Sequence, residues 1–133
     1  MNKKRIAVVG AGIGGMTTAV ALSQKGMDVT IFEQAPTLSE VGAGLTITPN
    51  ATKGLMYLNL GKEIEKIGMA HEHQGVRHYK TGEMIVPLHR GKKMLEQYGA
   101  YQFQLHRADI HDVLIKELKK NSPDSIFVNH QLC

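Results

Sequence analysis

No part of this chain restricts its fold more than the stretch Gly10-Ala-Gly-Ile-Gly-Gly15. It follows the apolar run Arg5 to Val9, which reads as a short strand buried on both faces. Met16, Ala19, Val20 and Leu22 then recur near helical spacing, and Gly26 supplies the left-handed residue that stops a helix. Val29 to Phe32 is a second strand. The unit is strand, helix, parallel strand, an α/β arrangement with a right-handed crossover expected.

Within that unit the glycines satisfy G-x-G-x-x-G at positions 10, 12 and 15. Gly10 lets the chain turn sharply off the strand, Gly12 leaves room for a pyrophosphate against bare backbone, and Gly15 lets helix and strand pack closely. The first helix amides, at Ile13 and Gly14, have no intrahelical acceptor and face the phosphates, with the helix dipole adding favourable charge. Glu33 closes the second strand and can accept hydrogen bonds from the adenosine ribose hydroxyls. A carboxylate there disfavours a 2′-phosphate, so the expected ligand is FAD or NAD rather than NADP.

The rest of the composition removes other classes. Lys and Arg number 16 against 12 Asp and Glu, a net charge of +4 that suits an anionic ligand. Its basic runs, Lys3-Lys4-Arg5, Arg90 to Lys93 and Lys119-Lys120, have no interleaved aromatics, so nucleic acid is not an expected partner. No segment approaches the ~20 apolar residues of a membrane span. The lone Cys133 cannot form an intramolecular disulfide, which points to a reducing compartment and the cytoplasm. His71-Glu72-His73 offers two imidazoles without a third ligand, and reads as a hydrated entrance to a hairpin rather than a metal site. Gln74 to Lys80 and Glu83 to Leu88 flank Thr81-Gly82 as that β-hairpin. The seven methionines read as core filler.

The segment after Pro36 separates the two dinucleotides. Ser39-Glu40-Val-Gly-Ala-Gly-Leu-Thr-Ile-Thr48-Pro-Asn-Ala51 reads as a small-residue loop entering a new helix, with Thr48 as cap and Pro49 at its first position. Together with Gly10 to Gly15, Glu33-Gln34, Tyr98-Gly99 and Leu105-His-Arg107-Ala-Asp-Ile110, this segment resembles the single-component FAD-dependent aromatic hydroxylases, which act on salicylate, hydroxybenzoate and hydroxynicotinate. The resemblance runs along essentially the whole sequence. It implies a Rossmann-like FAD-binding βαβ sheet, with a β-hairpin inserted from an incomplete substrate domain at about residues 71–104. It also implies that NAD(P)H reduces FAD, that the flavin takes up dioxygen as a C4a-hydroperoxide, and that oxygen passes to a small aromatic substrate.

Roles follow from the same resemblance. Gly10, Gly12, Ile13, Gly14, Gly15, Glu33 and Gln34 would hold the nucleotide, Gly44 and Thr46 would pass the flavin ring, Arg107 would contact the phosphate and ribityl side, and the backbone near Leu132 would meet the adenine. Some members carry a histidine, facing the substrate, where this chain has Thr46. The cofactor carries the difficult chemistry, so no catalytic residue is assigned. Asp109, the basic Lys116, Lys119 and Lys120, and the stripe Ile110, Val113, Leu114 and Leu118 read as one amphipathic helix ended by Asn121-Ser-Pro123. Ile126 to Leu132 then reads as a strand beside the second one. The resemblance also implies later motifs that this sequence lacks. Two expectations follow: the edge of the first strand is exposed and invites self-association, and the 133 residues alone are inactive. A non-catalytic dinucleotide-binding module and a small NAD-dependent dehydrogenase domain are the alternatives.

Overall fold

The computed structural model of the chain describes residues 4–38 and 42–133, and of His73 and His89 only the backbone. Lys3 of the first basic run, and Ser39, Glu40 and Val41 of the small-residue segment, lie outside the described residues. In chain order the elements are β1 (Arg5–Val9), α1 (Ile13–Gln24), β2 (Asp28–Phe32), β3 (Gly44–Ile47), α2 (Pro49–Tyr57), α3 (Gly61–Ile67), β4 (His73–Arg77), β5 (Met84–His89), α4 (Lys92–Tyr98), β6 (Phe103–His106), α5 (Arg107–Asn121) and β7 (Ile126–Phe127). They form two compact units, one from residues 1–43 with 107–133 and the other from residues 44–106.

The first unit is a parallel sheet in the order β1-β2-β7 with α1 and α5 packed together. Residues Arg5 to Val9 pair in register with Asp28 to Phe32, which brings the end of each strand to the same level. The core is Val29 and Ile31 of β2, Met16, Ala19 and Val20 of α1, and Ile110, Leu114 and Leu118 of α5. As expected, α1 ends at a left-handed Gly26 (φ 76°), with the Met27 amide returning to the Leu22 carbonyl. That arrangement satisfies carbonyls that the helix end would leave open.

Two expectations for this unit need correction. Strand β1 is not buried on both faces: Ala7 is exposed, Val9 is 59% exposed, and only Ile6 and Val8 are half-covered. Its position at the edge of the described sheet explains this, because only β2 pairs with it. The last strand is also shorter than Ile126 to Leu132. It pairs with β2 as expected, but only through Ile126 and Phe127. Beyond Phe127 the chain turns at Asn129 (φ 58°), and the amides of Asn129 and His130 bond the carbonyls of Ala35 and Glu33 instead of continuing a ladder.

In the second unit Gly44 to Ile47 is a strand, not a loop. It pairs antiparallel with β6, Leu45 opposite Leu105 and Ile47 opposite Phe103. The alternation of Leu45 and Ile47 is the strand period; the neighbouring glycines mask it in the sequence. Ile47, Phe103, Leu105, Leu55, Leu58, Leu60 and Ile64 are buried in this unit. The expected hairpin forms as β4 and β5, with Gly82 (φ 74°) in its turn. Its strands stop earlier than the sequence suggests, because His78 and Glu83 close the turn through a 2.8 Å backbone bond. Methionine as core filler holds for Met16, fully buried, but Met56, Met69 and Met84 are 49%, 61% and 43% exposed. Among the described residues no helix is long and apolar enough to cross a membrane.

Close approach of α1 to the start of its own turn is testable. A methyl group at Gly15 would collide with the Gly10 carbonyl oxygen, which is backbone and cannot swing aside, whereas one at Gly14 meets nothing within 4 Å. Gly15→Ala is expected to lower stability by about 1–3 kcal/mol. Gly14→Ala is expected to be neutral or to add up to ~1 kcal/mol. Urea denaturation of both variants measures the contrast.

Candidate functional site: the glycine turn and Glu33

The turn from β1 into α1 is built from backbone. Gly10 has φ 90°, a conformation costly for any other residue, and its amide bonds the Phe32 carbonyl at 2.8 Å. Gly12 is the N-cap of α1 and makes no side-chain cap bond, and the first turn carries no acidic residue. Added Cβ atoms at Gly12 and Gly14 would enter open space. The three motif glycines therefore divide as the sequence suggested: one for a positive φ, one for open approach and one for helix packing.

Glu33 reaches back to this turn from the end of β2. Its Oε2 accepts the Ala11 amide at 2.6 Å and its Oε1 accepts the Ala35 amide at 2.8 Å. Ala11, Gly12, Glu33, Ala35, Thr37 and His111 line a cavity of about 160 Å³. It is smaller than a whole-dinucleotide pocket and of the scale of one phosphate or sugar group. A residue that the sequence reading passed over completes it. His111 of α5 is 3% exposed, and its Nε2 lies 2.5 Å from the Ala11 carbonyl oxygen. A carbonyl can only accept, so Nε2 carries the proton. The available signal was a lone imidazole within the stripe Ile110, Leu114 and Leu118.

The other expected site residues fall in different places. Ile13 opens α1 and is half-buried, while Gln34 is exposed beside Glu33. Arg107 opens α5 at the surface, its amide bonded to the Ala43 carbonyl at 3.1 Å. Leu132 is 73% exposed and does not line the cavity at the glycine turn. Gly44 and Thr46 belong to the second unit, where they line a separate cavity of about 510 Å³ with Ile67, Met69, His71 and His106. Glu72, beside His71, accepts the Lys92 amide at 3.2 Å.

Known proteins share the sequence pattern and the fold. Residues 8–61 match the family model described as an NAD(P)-binding Rossmann-like domain. The chain is 37% identical to 6-hydroxynicotinate 3-monooxygenase of Pseudomonas fluorescens, over 92% of its own length and 31% of the relative's. It is 33% identical to 3-hydroxybenzoate 6-hydroxylase of Klebsiella oxytoca, over 80% of its own length and 27% of the relative's. Among solved structures it superposes on Klebsiella pneumoniae HpxO, complexed with FAD and uric acid, with a TM-score of 0.77 and 26% identity over 95% of this chain and 31% of that one. The tetrameric 2-methyl-3-hydroxypyridine-5-carboxylic acid oxygenase shares the fold, with a TM-score of 0.81 at 22% identity, over 97% of this chain and 32% of that one. The chain is similar in sequence to part of these aromatic-ring monooxygenases. It spans about a third of the length of the relatives it matches.

The site carboxylate has a distinct electrostatic character. The amide of Ala35, then that of Ala11, holds the Glu33 carboxyl below the usual carboxylate range, against a smaller opposing effect of burial. A depressed folded-state pKa contributes stability that is fully present above the unfolded value, about 4.3. That contribution disappears as pH falls through the folded value. Glu33→Gln is therefore expected to lower stability by about 1 kcal/mol at neutral pH. The gap to the wild-type chain should close on acidification below about pH 4. Thermal melts across pH 3–7 measure it.

Proposed function

We propose that this chain is the FAD-binding portion of an NAD(P)H-dependent aromatic-ring hydroxylase. The observation that supports this most directly is the open turn at Gly12 and Gly14, faced by a carboxylate already oriented by two amides. Homology to 6-hydroxynicotinate and 3-hydroxybenzoate monooxygenases supports the reaction class, and the FAD complex of HpxO supports the cofactor. In this reading residues 71–104, with the β4–β5 hairpin, belong to the sheet that receives a small aromatic substrate.

The open cradle fits the cofactor: a side chain at Gly12 would occupy space that the fold leaves clear. Bare amides of Gly12, Ile13 and Gly14 receive the diphosphate, and the α1 dipole favours its charge. Gly10 and Gly15 shape that turn. Glu33 uses its remaining lone pairs for ribose hydroxyls, and Gln34 flanks it. Gly44 and Thr46 meet the flavin ring, Arg107 its phosphate and ribityl side, and the backbone near Leu132 the adenine. When bound, FAD supplies the redox chemistry that joins a nicotinamide reductant, dioxygen and the aromatic ring. The protein's part is to bind and orient, so no side chain is assigned as catalytic. The lone Cys133 supports a cytoplasmic location.

Flavin fluorescence quenching on titration with FAD tests the reading. The wild-type chain is expected to bind one FAD. Gly12→Ala should weaken binding by at least about tenfold, while stability changes by less than ~1 kcal/mol. Saturation by NAD with no response to FAD would replace the flavin reading with a nicotinamide one.

The exposed β1 edge supports a second expectation, self-association through strand pairing. Sedimentation velocity should show a dimer growing with concentration; a monomer at every concentration would dismiss it.

A further inference from the structure

We propose that His111 is a positioning residue for the diphosphate cradle: by holding the Ala11 carbonyl, it aims the Gly12 amide at a bound nucleoside diphosphate. The inference rests on the reading of the glycine turn as that cradle. The Ala11 carbonyl and the Gly12 amide belong to one planar peptide unit and, with the bond trans, point in opposite directions. Fixing the carbonyl on one side therefore fixes the N–H on the other. The preceding peptide unit is fixed too, because its N–H, that of Ala11, is bonded to Glu33. Two consecutive peptide planes in a glycine-rich turn are thus tied from outside the turn, one from β2 and one from α5. Glycine backbones are the most conformationally free, so an untied turn would present its amides only part of the time.

The placement of the imidazole argues for this role over simple filling. A histidine in the α5 stripe costs more to bury than a leucine unless it is hydrogen-bonded, and His111 makes its bond to this turn. His111 also lines the cavity next to Gly12 and Glu33.

Calorimetric titration of the full chain with ADP and with AMP tests the role. His111→Leu keeps the bulk and removes the donor; His111→Gln keeps a donor at similar reach. The leucine variant is expected to lose about tenfold in ADP affinity while AMP affinity stays within about threefold, and the glutamine variant should recover most of the loss. A purely structural defect would reduce the folded fraction and weaken both nucleotides equally, and that result would overturn the role while leaving the cradle standing. If the wild-type chain binds no ADP, the inference falls together with the cradle reading. Should His111→Leu fail to fold, His111→Asn, polar but too short to reach Ala11, carries the same expectation.

Discussion

The first unit depends on a bond spanning 22 residues, from the Ala11 amide to the Glu33 carboxylate. Parallel pairing places Val9 opposite Phe32, so the residues just beyond both strands emerge at one level. Glu33 then crosses from one strand end to the next. Without that register the carboxylate would lie a full residue or more from the turn, about 3.3 Å per step. The bond therefore expresses the sheet's geometry and also stabilises it. From the other side, His111 ties α5 to the next peptide of the turn through the Ala11 carbonyl. Strand, turn and two helices converge on one buried alanine.

The parts of the fold legible in the sequence are those where a residue type has a single physical use. Gly26 at a helix end, Thr48-Pro49 at a helix start, and Gly15 against the Gly10 carbonyl are of this kind. Thr48 marks its helix start correctly, yet its hydroxyl bonds Asn50 instead of capping an amide. Features that depend on a distant partner were not legible. Strand β3 is short and bordered by glycine, and only Phe103 and Leu105 across the ladder make Leu45 and Ile47 a strand. The early end of β7 depends on carbonyls of Ala35 and Glu33 far back in the chain. His111 has the same explanation: a histidine in an apolar stripe is ambiguous until its acceptor is known.

The second unit shows a different balance. Its core of Leu55, Leu58, Leu60, Ile64 and Phe103 is dense, but Val76, Ile85 and Val86 of the hairpin are 51%, 58% and 45% exposed. A two-stranded hairpin is at best marginal in water, and β-branched residues on it gain little until a further surface covers them. This physical imbalance supports the proposed assignment of the hairpin to a larger sheet.

A carboxylate next to an anion cradle looks unfavourable, and the hydrogen bonding resolves the conflict. Each Glu33 oxygen already accepts one backbone amide, which disperses its charge and keeps it ionised. What remains is acceptor capacity without a donor to offer. Such a group repels a bare phosphate and a 2′-phosphorylated ribose but welcomes vicinal hydroxyls. Amides at the α1 start have the opposite character, all donor and no acceptor. In the proposed reading the two together would favour a ligand that carries both an anion and a free sugar diol, which describes the adenosine diphosphate half of FAD better than it describes inorganic phosphate or NADP.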